Sequence, residues 1–83
     1  MHERTNMNAN VYLEEQEYIA LCDLLKLAGL VESGGQAKNA IASGKVLRNG
    51  KVEIRKTAKI RGGDVIEFSN VILEVCDGYD PED

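Results

Sequence analysis

Ser33-Gly34-Gly35-Gln36-Ala37-Lys38-Asn39-Ala40-Ile41-Ala42-Ser43-Gly44-Lys45-Val46-Leu47-Arg48-Asn49-Gly50-Lys51 is the stretch whose reading decides the fold. It changes character at Gly44. Before it, Ser33 and Gln36 stand in Ser-x-x-Gln spacing, a capping box in which each side chain satisfies an orphan backbone N–H at a helix start. Ala37, Ala40 and Ile41 follow on one face, small enough to let the helix sit close to a partner, and Gly44 closes it. After Gly44, Lys45–Arg48 and Lys51–Ile54 read as strands about Asn49-Gly50, a dipeptide that tolerates the positive φ angles of a type I′ turn. Ten residues are too few for an isolated helix, so this one requires packing against another element.

That partner lies upstream. Tyr18, Leu21, Cys22, Leu25 and Ala28 recur at three and four residues, with Leu24 beside them, which predicts a first helix ending near Gly29. Val11-Tyr12-Leu13 reads as a short strand before it. Downstream, Gly62-Gly63-Asp64 is a turn, with Asp64 read as a turn-capping residue rather than a metal ligand. Val65–Phe68 and Val71–Val75 form a second hairpin about Ser69-Asn70. Met1–Asn10 is polar and Asp77–Asp83 is acidic with Pro81; both read as flexible ends. The expectation is one domain over residues 11–76, of α+β class, with two short helices on a small, mostly antiparallel sheet.

Charge along the chain is sorted. The 83 residues carry a net charge of −4 and a sequence pI near 4.9. Yet between Ser33 and Gly63 stand Lys38, Lys45, Arg48, Lys51, Arg55, Lys56, Lys59 and Arg61 against the single acid Glu53, a local charge of +7. Residues 1–32 sum to −4 and residues 64–83 to −7. Clustered cations repel one another unless an anion joins them, and polyphosphate backbones are the commonest large anions in a cell.

The hairpin sharpens this. With Asn49-Gly50 as a two-residue turn, Arg48 lies opposite Lys51, and like charges facing across a strand pair are destabilising. A third, negative group would remove the conflict. The start of the second helix adds free N–H groups at Ser33, Gly34 and Gly35, at the positive end of the helix dipole, where a phosphate oxygen can be held. The basic stretch contains no Phe, Tyr or Trp to stack single-stranded bases. It therefore suits phosphates and shape, as presented by folded or double-stranded RNA, while charge alone does not discriminate against DNA.

Other chemistries find little support. His2 is the only histidine, and Cys22 and Cys76 lie far apart, so neither a self-contained zinc site nor a Cys–His nucleophile is expected. The two cysteines read as reduced, partly buried thiols. Gly44-Lys45 lacks the upstream glycine and following Ser or Thr of a phosphate loop. No apolar run approaches the ~18 residues that span a bilayer. No leader-like apolar stretch is seen at the N-terminus, so the expectation is a cytoplasmic chain without cofactor or metal.

The run Ser33-x-x-Gln36-Ala37-Lys38-x-x-Ile41-x-x-Gly44-x-Val46-x-x-Asn49-Gly50-Lys51, continued by Lys59-Ile60-x-x-Gly63-Asp64-x-Ile66, resembles the S4-type RNA-binding domain, also called the alpha-L motif. The likeness spans about Ala20 to Phe68. The short length and the Ser33–Lys38 start resemble the small stand-alone bacterial members, the YbcJ type. The resemblance implies two helices in an L against the sheet, and RNA contact by Lys38 on the helix, Lys45 and Lys51 on the strands and Asn49 at the turn. Many members have Arg where this chain has Gly34, and an apolar residue where Arg48 stands; Arg55, Lys56, Lys59 and Arg61 are placed to compensate.

The expected function is a non-enzymatic, monomeric module that holds structured RNA, of the ribosomal or transfer RNA class. The RNA-binding set is Ser33, Gln36, Lys38, Lys45, Arg48, Asn49, Lys51, Arg55, Lys56, Lys59 and Arg61. The rival reading is a protein-interaction module that docks on an acidic partner in a ribosome-associated or RNA-processing complex. The charges also suggest that the acidic tail folds over the basic patch.

Overall fold

The computed structural model describes residues 7–81. Along them run β1 (Met7–Tyr12), β2 (Ile19–Ala20), α1 (Leu21–Leu27), α2 (Gly34–Ala42), β3 (Leu47–Arg48), β4 (Lys51–Val52), β5 (Lys59–Ile60), β6 (Val65–Phe68) and β7 (Val71–Cys76). Five strands make one sheet in the order β1-β7-β6-β3-β4, while β2 pairs with β5 apart from it. Every pairing is antiparallel except that of β1 with β7. The two helices pack against each other. The α+β class and the mostly antiparallel sheet are as the sequence implies.

Leu21, Leu24 and Leu25 from α1, Ile41 from α2, and Val46, Ile60, Ile66 and Leu73 from the strands and the loop before them are fully buried. Each such side chain contributes about 1.5–3 kcal/mol on leaving water, against about 0–1 kcal/mol for an exposed ion pair. Burial of the helix faces on the sheet is thus what makes helices of seven and nine residues stable here. In α2 the Ser33 Oγ accepts the Gln36 N–H at 3.1 Å, as a cap should. The Gln36 Oε1 reaches one residue further back than a capping box requires, accepting the Glu32 N–H at 2.6 Å.

Three boundaries depart from the sequence reading. First, Tyr18 is not helical: residues 19 and 20 pair with Ile60 and Lys59, and α1 begins only at Leu21. Ala20 supplies no side-chain cap. Instead the Leu21 and Cys22 N–H groups donate to the Ala58 and Lys56 carbonyls at 2.9 and 3.0 Å, so a distant loop caps this helix. Second, β1 begins at Met7, not Val11, in parallel register from Met7↔Val71 to Tyr12↔Cys76. Its first four residues are exposed and alternate with asparagine, so no hydrophobic pattern marks the strand; the β7 backbone holds it. Residues 1–6 of the expected flexible N-terminal segment lie outside the described residues. Third, β3 and β4 are two residues each, shorter than the four-residue strands read from sequence.

The acidic end is anchored as far as Tyr79. Glu14 N–H donates to the Gly78 carbonyl at 2.7 Å, and the Tyr79 hydroxyl donates to Glu15 at 2.9 Å. The Asp77 carboxylate lies where a Cβ on Gly62 would sit. These contacts place Gly78 and Tyr79 beside the end of β1 and Asp77 beside Gly62. Residues 82 and 83 lie outside the described residues. Cys22 is buried, Cys76 half-buried, and both are free thiols.

Candidate nucleic-acid interface

The turn between β3 and β4 has φ of +53° at Asn49 and +87° at Gly50, the two left-handed residues of a type I′ turn. The register sets Arg48 opposite Lys51, as the two-residue turn demands. The chain itself supplies the anion that this pair needs. Arg48 donates to Asp64 Oδ2 at 3.0 Å and, at 3.4 Å, to Glu53 Oε1; it also donates to the Lys59 carbonyl at 2.9 Å. Asp64 further accepts the Asn49 side-chain amide at 3.0 Å and the Arg61 N–H at 2.8 Å, while Asn49 Oδ1 accepts the Val65 N–H. One carboxylate thereby ties the first hairpin to the turn before β6. Asp64 caps that turn, as the Gly-Gly-Asp reading expects.

Both acids are held below their ordinary range. The Arg55 side chain, hydrogen-bonded to both Glu53 oxygens, lowers Glu53 from 4.5 to about 2; partial burial opposes it, and the Arg55 N–H and Arg48 assist. At Asp64 burial pushes upward, but the Arg61 N–H, Asn49 and Arg48 outweigh it and the pKa falls below 3.8. A depressed folded-state pKa contributes stability that is present above the unfolded pKa and lost as pH falls through the folded one. The expected urea midpoint is therefore flat from neutrality down to about pH 5, then declines from about pH 4.5 toward pH 2. Glu53→Gln should shrink that decline. An undiminished decline in this variant would assign it to other carboxylates.

The eleven residues of the predicted set separate into distinct roles. Ser33 and Gln36 are occupied in the α2 cap. Arg48 and Asn49 are occupied by Asp64, and Arg55 by Glu53. Lys59 and Arg61 lie over the ring of Tyr18, with Nζ at 5.0 Å and Cζ at 5.5 Å from its centroid. Lys38 on α2, Lys45 after it, Lys51 on β4 and Lys56 in the α1-capping loop are exposed, with no ion pair among the described residues. Four lysines of the set thus have neither an ion pair nor a ring contact among the described residues, and Lys59 and Arg61 keep their charge beside the ring.

Tyr18 is the residue that sequence reasoning missed. Assigned to a helix face, it has no visible link to the basic stretch. The pairing Ile19↔Ile60 and Ala20↔Lys59, continued one step outward, sets Tyr18 opposite Arg61. The only available signal was the short apolar run before α1, which reads equally as helix or strand.

An S4 domain model matches residues 11–76. The chain belongs to the S4 domain family, and its two helices on a mostly antiparallel sheet are the alpha-L arrangement. It is 46% identical over 67 residues to YbcJ of Escherichia coli (strain K12), covering 81% of this chain and 96% of that one. It is 39% identical over 60 residues to RlbA of Bacillus subtilis (strain 168), named a probable ribosome maturation protein, covering 72% and 84%. The solution structure of Escherichia coli YbcJ, described as having an alpha-L motif involved in RNA binding, superimposes with a TM-score of 0.66 at 45% identity, over 92% of this chain and 95% of the other.

Proposed function

We propose that this chain is a non-enzymatic RNA-binding module of the cytoplasm, acting as a monomer on the phosphate backbone of structured RNA. The observation that carries the reading is the set Lys38, Lys45, Lys51 and Lys56: exposed cations left over, with Lys59 and Arg61 against Tyr18, after Asp64 and Glu53 have taken up Arg48 and Arg55. An ammonium on a flexible stem suits a phosphate whose position varies along a helix, and it makes no demand on base identity. RNA binding by a structurally similar relative and the ribosome-maturation name of another support ribosomal RNA as the class of target.

The test is RNA recovery after cross-linking in cells, comparing the natural chain with Lys38→Glu, Lys51→Glu. Both positions are exposed, so the variant keeps its fold. Enrichment of one structured RNA by the natural chain alone is the expected result. Recovery at background by both would overturn the reading and leave the patch to a protein partner or to none.

A further inference from the structure

The geometry points to a second element of recognition: Tyr18, with Lys59 and Arg61, forms a stacking site for one unpaired base of the bound RNA. This inference rests on the RNA reading above and adds to it a preference for a bulged or looped-out nucleotide beside a duplex.

Apart from its contacts with Lys59 and Arg61, Tyr18 has no packing role in the core. It is 39% exposed, and it belongs neither to the buried core nor to the half-buried side chains packed on that core. The β2–β5 pairing brings it to the edge of the basic stretch, which has no aromatic residue of its own. Lys59 Nζ and Arg61 Cζ both lie within the ~6 Å at which a cation is attracted to a ring. A phenol ring and a planar guanidinium held together offer a flat, polarisable surface flanked by positive charge. Aromatic rings and arginine planes are the surfaces on which proteins stack splayed-out RNA bases.

Charge decides which part of a nucleotide enters. Tyr18 also lines an open hollow whose lining includes Glu14, Glu17 and Asp23, with Lys26 as the cation among them. A phosphate is repelled there, whereas an uncharged base is not, and its exocyclic amino groups find carboxylate acceptors. Tyr18 thus stands at a boundary: the phosphate stays on the Lys59 and Arg61 side, and the base lies across the ring toward the acidic hollow.

The experiment compares two RNAs, a fully paired hairpin stem and the same stem carrying a single bulged 2-aminopurine. The expected result is that the natural chain binds the bulged stem more tightly and quenches its fluorescence. Tyr18→Leu should weaken the bulged stem by about tenfold, within the roughly five- to hundredfold range of one lost stacking contact, and leave the paired stem unchanged. Tyr18→Phe should retain the preference. Because Tyr18 lies outside the core, the circular dichroism of both variants should match the natural chain. Equal affinity of the natural chain for the two stems, or a preference that survives Tyr18→Leu, overturns the stacking site while leaving the RNA reading intact. Failure to bind either stem overturns both.

Discussion

Asp64→Ala is expected to cost about 2–3 kcal/mol, which for a domain of this size lowers the melting temperature by roughly 10–20 °C. The residue is small and lies in a turn, so the magnitude comes from what it leaves behind. The Asp64 side chain is 16% exposed and that of Arg48 23%. Truncation strips Arg48 of its shorter ion pair, Asn49 of its amide acceptor and the Arg61 N–H of its partner. It also restores the repulsion between Arg48 and Lys51 across the strands. A hydrogen bond to a charged group contributes about 1.5–3 kcal/mol. The remaining contacts of Arg48, to Glu53 and to the Lys59 carbonyl, keep the loss below the sum of three such terms. Asp64→Asn, which keeps an oxygen for the Arg61 N–H, should cost about half as much. Much of the penalty is a stranded cation, so Arg48→Met should rescue part of it, and the double variant should show coupling of about 1 kcal/mol in urea denaturation. A loss below about 0.5 kcal/mol for Asp64→Ala would mean that water replaces the carboxylate and that the network is ornamental.

Arg48 also marks where the sequence was legible and where it was not. The Asn49-Gly50 turn, the facing of Arg48 and Lys51 and the need for an anion between them all follow from local rules, because a two-residue turn fixes the register on either side of it. The identity of the anion does not. Asp64 lies sixteen residues beyond Arg48, and only the β3–β6 pairing brings them together. The sequence reading placed Arg48 and Asn49 among the RNA-binding residues; the fold adds that both donate to Asp64. The same limit applies to α1 and β1. Ser33 caps α2 from within its own segment and was readable, whereas α1 is capped by the Ala58 and Lys56 carbonyls, invisible to any local pattern. β1 has no apolar alternation over Met7–Asn10 because it is an edge strand held through its backbone. Where neighbouring residues determine structure, sequence spacing revealed it. Where groups from distant segments do so, side chain or backbone, it did not.

The exposed lysines lead to the other large effect, which falls on binding and not on stability. With about four phosphate contacts, through Lys38, Lys45, Lys51 and Lys56, the logarithm of affinity should fall against the logarithm of salt with a slope of about −2.8 to −3.6. Raising salt from about 50 to about 200 mM should then weaken a structured RNA by roughly fifty- to 150-fold. Replacing all four lysines by glutamine removes attraction without adding repulsion. The expected outcome is a loss of about a hundredfold or more at ~100 mM salt, with the slope flattened toward −1 or less, since each lost phosphate contact removes about one unit of it. Stability should hold or rise slightly, because none of the four is buried or ion-paired among the described residues and their mutual repulsion is relieved. Arg55→Gln is the informative comparison. Its side chain is 70% exposed, yet Glu53 already neutralises it, so its removal should change affinity far less than removal of any one of the four lysines. Equal losses from Arg55 and from a free lysine would show that net charge alone attracts the RNA. An affinity indifferent to salt would show that phosphates are not what these lysines hold.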